Sequence, residues 1–163
     1  INAGTYVFEP DVLDLIAPGE RVSVERDTFP LLVAAGGVYG LATDDYWIDA
    51  GRPDLYRAAN LDLLDGLRRN EHADPVAASA AVAADATIRN SIVGDHVVVA
   101  PGATVVDSVL LPHASVGGSA VVERSLVMGR IGVGSHVSDS MIGAAGAVAD
   151  GEVVRDTSIP PTP

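Results

Sequence analysis

The stretch Tyr46 to Tyr56, YWIDAGRPDLY, places a carboxylate, Asp49, where an apolar run meets a sharp turn through Gly-Arg-Pro. Two kinds of chemistry suit that position. Asp49 can end a strand by accepting a nearby backbone N–H. Alternatively, a rigid strand anchored by Trp47 and Ile48 can present the carboxylate to a cation or a phosphate. Arg52, three residues on, can pair with Asp49, reach a phosphate or face solvent. A second set of reactive side chains is formed by His96 and His113, which are 17 residues apart. If the chain coils with that period, the two rings stack, Arg130 continues their column and His136 falls out of register. Such a pair could share a metal ion; the plainer outcome is an exposed ladder at a corner.

The elements that hold these residues follow two grammars. Residues 1–70 read as mixed α/β. Thr5–Phe8, Val38–Ala42 and Tyr46–Ile48 have strand character, and Pro10–Ile16 and Thr28–Ala35 have helix character. The second of these helices should stop at Gly36-Gly37. Pro53–Arg69 reads as an amphipathic helix, with Leu55, Ala59, Leu63 and Leu67 on one stripe, Asp54 in its first turn and Arg68-Arg69 in its last. Residues 70–75, NEHADP, read as a linker.

From about Val76 the helical period disappears. One element recurs: an aliphatic, two mostly polar residues, Ser, then an apolar residue. Its copies begin at Ile88, Val105, Val122 and Val137, with a partial copy at Val154, at intervals of 17, 17, 15 and 17 residues. Within a copy the inward aliphatics step by six, six and five, as in Val93, Val99, Val105, Leu110, Val116, Val122 and Val127. Three short strands per coil make a triangular β-solenoid, which buries its apolar rows only by stacking coil on coil. Strands about 4.8 Å apart give four to five coils a height of about 20–25 Å. The terminal residues SIPPTP suit a cap, because proline cannot donate to a further strand. Leu111, Met128, Val98, Val106 and Val121 should point outward, and several outward aliphatics on one prism suggest a homo-oligomer formed through the β-helix.

Composition narrows the partners. The net charge is −12, which repels nucleic acid and anionic membrane surfaces. There is no cysteine, which excludes disulfides and thiolate metal sites and fits a cytoplasmic location. All ten basic residues are arginine, so these residues supply no lysine of the kind phosphoryl-transfer enzymes commonly use. No apolar run approaches the ~18 residues of a membrane span.

The six-residue period resembles the hexapeptide-repeat family, whose fold is a left-handed parallel β-helix that serves acyltransferases, carbonic anhydrases and nucleotidyltransferases. The first half is more selective. INAGTYVFEPDVLDLI, VSVERDTFPLLV and YWIDAGRPDLYRAANLDLL, in this order, resemble the second half of the catalytic domain of sugar-1-phosphate nucleotidyltransferases. With hexapeptide repeats following, the likeness is greatest to bacterial mannose-1-phosphate guanylyltransferases. The resemblance implies a Rossmann-like α/β segment over residues 1–70 and a left-handed β-helix over residues 76–159. The family's glycine-rich nucleotide loop, further lysines and a second metal-binding aspartate are not in this sequence. The chain therefore resembles the C-terminal part of such an enzyme and is not expected to turn over substrate alone.

Carried over position by position, the resemblance makes Asp49 a catalytic ligand of Mg2+. Asn2 and Gly4 of the NAG motif and Glu25 of VSVER become contacts to the sugar. The implied partners are a sugar 1-phosphate and a nucleoside triphosphate. Without the resemblance, Asn2 merely opens a strand, and Glu25 with Asp27 caps the helix near Thr28. Competing functions are a glucose-1-phosphate thymidylyl-, adenylyl- or uridylyltransferase, a catalytically silent regulatory subunit, and a hexapeptide acyltransferase or carbonic anhydrase. The near-uniform coils count against the last two, which need a longer array or a loop bearing the catalytic residue.

Overall fold

The computed structural model describes residues 3–67 and 74–159, which fall into two compact units, residues 1–47 and 48–163.

The first unit is helical. A 3-10 helix spans Pro10–Leu15, and a π-turn, Val24–Thr28, runs directly into α1, Phe29–Ala34. Ser23 caps this tandem reciprocally: its Oγ accepts the Arg26 N–H at 3.2 Å, and its own N–H donates to Asp27 Oδ2 at 2.9 Å. α1 stops where the Gly36-Gly37 pair predicts, with Gly36 at φ +74° and its amide on Val33. The strands expected at Thr5–Phe8, Val38–Ala42 and Tyr46–Ile48 do not form. A strand is completed by its ladder partner, and among the described residues these segments have none. Their alternating side chains are left outside: Val7, Tyr39 and Leu41 are each over 90% exposed, and among the described residues of this unit only Thr28 is buried.

The second unit opens with α2, Pro53–Leu64. It ends before the expected Arg69 because Gly66, at φ +71°, takes the left-handed position after the helix. The Gly66 and Leu67 amides then return to the carbonyls of Leu63 and Asp62. Arg68 and Arg69 lie outside the described residues. Ala59 and Leu61 are buried and Leu55 and Leu63 half-buried, while Leu67 of the expected stripe is 60% exposed.

Five coils follow. The first holds β1 (Ala81–Val82), β2 (Thr87–Arg89) and β3 (Ile92–Val93), and the second β4 (Val98–Val99), β5 (Thr104–Val106) and β6 (Val109–Leu110). The third holds β7 (Ser115–Val116), β8 (Val121–Glu123) and β9 (Leu126–Val127), and the fourth β10 (Arg130–Ile131), β11 (His136–Ser138) and β12 (Met141–Ile142). The fifth holds β13 (Ala147–Val148), β14 (Val153–Arg155) and β15 (Ser158–Ile159). Every pairing is parallel and joins strands one coil apart, giving three five-stranded sheets. The register is the one the recurrent element dictates: Ile88, Val105, Val122, Val137 and Val154 stand in one column. All seven aliphatics read as inward are at most 1% exposed. Burial of each such side chain is worth roughly 1.5–3 kcal/mol, and only the neighbouring coils supply it.

The serine of the element has a structural task. Ser91, Ser108, Ser125 and Ser140 each donate to the carbonyl two residues earlier, and each accepts the amide of the corresponding Ser or Thr one coil on, at 3.0–3.1 Å. A buried hydroxyl thus closes the backbone bonding at a corner where the strand ladder breaks. The residue before each serine turns that corner with φ between 44° and 50°: Asn90, Asp107, Arg124 and Asp139, with Asp156 doing the same before Thr157. Asn and Asp tolerate this left-handed region better than most residues.

The 15-residue interval is a corner shortened by two residues between Val127 and Ile131. Its two flanking coils step from Leu110 to Val116 and from Ile142 to Val148. A Cβ on Gly129 would collide there with the carbonyl oxygens of Gly146 and Gly143. The same shortening corrects the expected third member of the histidine column. Arg130 lies in β10, paired with Ser115 and Ala147, because the corner position is missing from that coil.

Candidate functional site

Glu25 is built into the π-turn and is exposed. One of its oxygens, Oε1, accepts the phenol O–H of Tyr6 at 2.7 Å. The Tyr6 ring is set edge-on to Phe29, with centroids 4.8 Å apart at 85°, and stacks on Phe8 at 5.8 Å. Glu25 and Phe29 are four residues apart on the same winding, so one turn of backbone grips the tyrosine at both its polar and apolar ends. π-turns of this kind recur at functional positions. Thr28, on the same turn, is 1% exposed, and its hydroxyl has no partner among the described residues. Gly4 is exposed at φ +71°, and a Cβ there would meet nothing within 4 Å. Asn2 lies outside the described residues.

Asp49 lies in the second unit. It is exposed, and Oδ1 accepts the N–H of Gly51 at 3.0 Å. A Cβ on Gly51 would come within 3.1 Å of that oxygen. The turn therefore fixes one carboxylate oxygen with a backbone amide and keeps the space beside it clear. Ile48 is half-buried and Trp47 is 43% exposed, so the anchor beside the carboxylate is partial. Arg52 turns away from Asp49 and makes a two-pronged pair with Asp54, Nε to Oδ1 at 3.0 Å and Nη2 to Oδ2 at 2.5 Å. The hydrogen bonds from Arg52 hold the Asp54 carboxyl below the ordinary carboxylate value.

The solenoid carries further charged side chains. α2 lies on β9, and Arg57 donates to the carbonyl of Asp107 at 3.1 Å. Val106, Val109 and Leu126 are buried although they alternate with inward residues. Val106 thus alternates outward as expected but is covered, whereas Val98 is 49% exposed. Beside α2 a groove of about 360 Å³ is lined by Arg57, Arg124, Asp139 and Asp156. Arg124 is committed there to Asp139, Nε to Oδ1 at 2.7 Å and Nη2 to Oδ2 at 2.6 Å. Sequence alone singles out neither this pair nor Tyr6. A signal for Arg124 exists nonetheless, since it occupies the column of Asn90, Asp107 and Asp139.

His96 and His113 do stack, with ring centroids 5.3 Å apart and 20° between planes, both in the left-handed region. Among the described residues no three His, Asp or Glu side chains cluster in the manner of a metal site. The pair is a corner ladder, continued downward by Ser79, whose Oγ accepts the His96 amide.

Comparison with known proteins now adds to this geometry. Residues 64–133 match the family described as GlmU-like, C-terminal hexapeptide. That match takes in the first three coils of the solenoid. The chain is also similar to several curated mannose-1-phosphate guanylyltransferases. It is 46% identical over 69 residues to that of Mycobacterium tuberculosis, covering 41% of this chain and 19% of the relative. It is 40% identical over 73 residues to mannose-1-phosphate guanylyltransferase 1 of Arabidopsis thaliana, covering 45% of this chain and 20% of the relative. It is 40% identical over 53 residues to the catalytic subunit beta of Dictyostelium discoideum, covering 32% and 14%. The matched part of the chain thus spans about a fifth or less of the relatives' length. No helix among the described residues is long and apolar enough to cross a membrane.

Proposed function

We propose that this chain is the C-terminal part of a sugar-1-phosphate nucleotidyltransferase that transfers GMP from GTP to mannose 1-phosphate, giving GDP-mannose and pyrophosphate. The observation that carries the reading is the similarity of stretches of 69 and 73 residues of the chain to proteins named mannose-1-phosphate guanylyltransferase, together with a solenoid whose first three coils match a hexapeptide family. The YWIDAGRPDLY turn just upstream supports it.

In this reading Glu25 accepts from sugar hydroxyls, while Asn2 and Gly4 line the sugar. Asp49 suits a magnesium ligand. It is a hard oxygen donor on the surface, with one oxygen held by the Gly51 amide. Bound magnesium would neutralise the crowded phosphate oxygens. No cage of ligands forms among the described residues, so Asp49 is one ligand of a set completed elsewhere. The exposed apolar side chains of residues 1–47 agree with a segment whose sheet partners belong to the rest of such a domain. We assign the hexapeptide domain to assembly of a homo-oligomer, which exposed Val98, Val133 and Val153 would serve. A monomeric mass by light scattering would remove that assignment.

The test uses the complete gene product with GTP, mannose 1-phosphate and Mg2+. GDP-mannose should form, and Asp49→Asn should slow its formation at least about a hundredfold, the scale on which loss of one electrostatic stabiliser acts. Undiminished activity in that variant overturns the metal assignment. A product formed only from ATP, UTP or dTTP transfers the protein to another nucleotide-sugar enzyme.

A further inference from the structure

We propose that Tyr6 is a positioning residue for the Glu25 carboxylate, fixing the orientation in which that carboxylate meets a sugar. The inference rests on the nucleotidyltransferase reading above and adds to it a residue and a mechanism.

Glu25 sits on an exposed turn, and a glutamate there has three rotatable bonds and little packing of its own. The 2.7 Å bond from Tyr6 is what restrains it. The donor is itself immobilised: its ring is half-buried, edge-on to Phe29 at 4.8 Å and stacked on Phe8. Phe29 follows Glu25 on the continuous winding that begins at Val24, so carboxylate and phenol are referred to one backbone segment. The phenol occupies Oε1 only. Oε2 stays available as a pure acceptor, and an acceptor-only group selects ligands that present hydroxyl donors. A contact joining residues 19 apart in sequence also ties the stretch that follows Gly4 to the VSVER segment.

The test compares wild type, Tyr6→Phe, Glu25→Ala and the double variant of the complete gene product, using GTP and mannose 1-phosphate. Tyr6→Phe keeps the ring and its contacts to Phe8 and Phe29, so the thermal midpoint should stay near wild type. The KM for mannose 1-phosphate should rise about tenfold, the size expected from losing one hydrogen bond to a charged group, while the KM for GTP stays unchanged. In the Glu25→Ala background the same change should add less than about twofold, because the phenol no longer has a carboxylate to orient. A KM within twofold of wild type in Tyr6→Phe overturns the proposal, as does an equal loss with and without Glu25. A wild-type protein inert toward every sugar 1-phosphate overturns the functional reading and this role together, which separates the two failures.

Discussion

The hydroxyl oxygen of Ser108 lies 3.0 Å from the amide nitrogen of Ser125, one coil above, while donating to the carbonyl of Val106 at 2.7 Å. One buried side chain thus carries two backbone bonds that the sheets cannot make. Ser108→Ala removes both; the Val106 carbonyl keeps the Arg124 amide, but the Ser125 amide is left unsatisfied beside a position that is 0% exposed. The expected loss is about 2 kcal/mol. Thr157, its equivalent at the exposed last coil, should cost no more than about 0.5 kcal/mol when changed to Ala. Urea unfolding of the two variants checks this, and equal losses would deny the ladder its role.

The shortened corner at Gly129 makes a second expectation. Its Cβ would meet two backbone oxygens that belong to the next coil and cannot swing aside. Gly129→Ala should destabilise by about 3 kcal/mol, at the upper end for forced overpacking. Gly134 has positive φ but open space around it, and its change to Ala should cost only about 1 kcal/mol of backbone strain. Thermal denaturation of both variants gives the order, and a reversed order would contradict the corner's geometry.

The Arg124–Asp139 pair predicts a pH dependence. Hydrogen bonds from Arg124 hold the Asp139 carboxyl below its ordinary value. A carboxylate depressed in the folded state contributes stability that is fully present above the unfolded value, near 3.9. That contribution disappears as pH falls through the lower folded value. Asp139→Asn should therefore lower the thermal midpoint at about pH 6, by an amount that shrinks as pH falls below about 4. Both side chains are close to half exposed, so the effect is small and should shrink in about 1 M salt. A difference that persists unchanged to pH 2 would show that another cause is at work.

How much is legible in the sequence differs between the two halves, and the residues say why. In the repeats each side chain's place follows from its position modulo the coil. Val105 and Val122 face inward because both begin the recurrent element, and the register Val105↔Val122 confirms it. In residues 3–47 the strand-like runs have correct alternation but no ladder partner among the described residues, so pattern alone cannot make Val38–Ala42 a strand. Asp49 is visible as a carboxylate at a turn, whereas its bond to Gly51 emerges only from the folded backbone.

By itself the sequence determined the period, the inward rows, the stacked histidines and the family likeness, because periodic stacking converts distance along the chain directly into position in space. Tertiary structure alone decided that Arg130 leaves the histidine column, that α2 stops at Gly66, that Arg52 turns to Asp54 and that Tyr6 reaches Glu25. Each of these depends on where the backbone bends between residues. The sequence shows one interval of 15 residues, but only the folded backbone shows which corner is short, and a single left-handed glycine ends a helix that the stripe of leucines would continue.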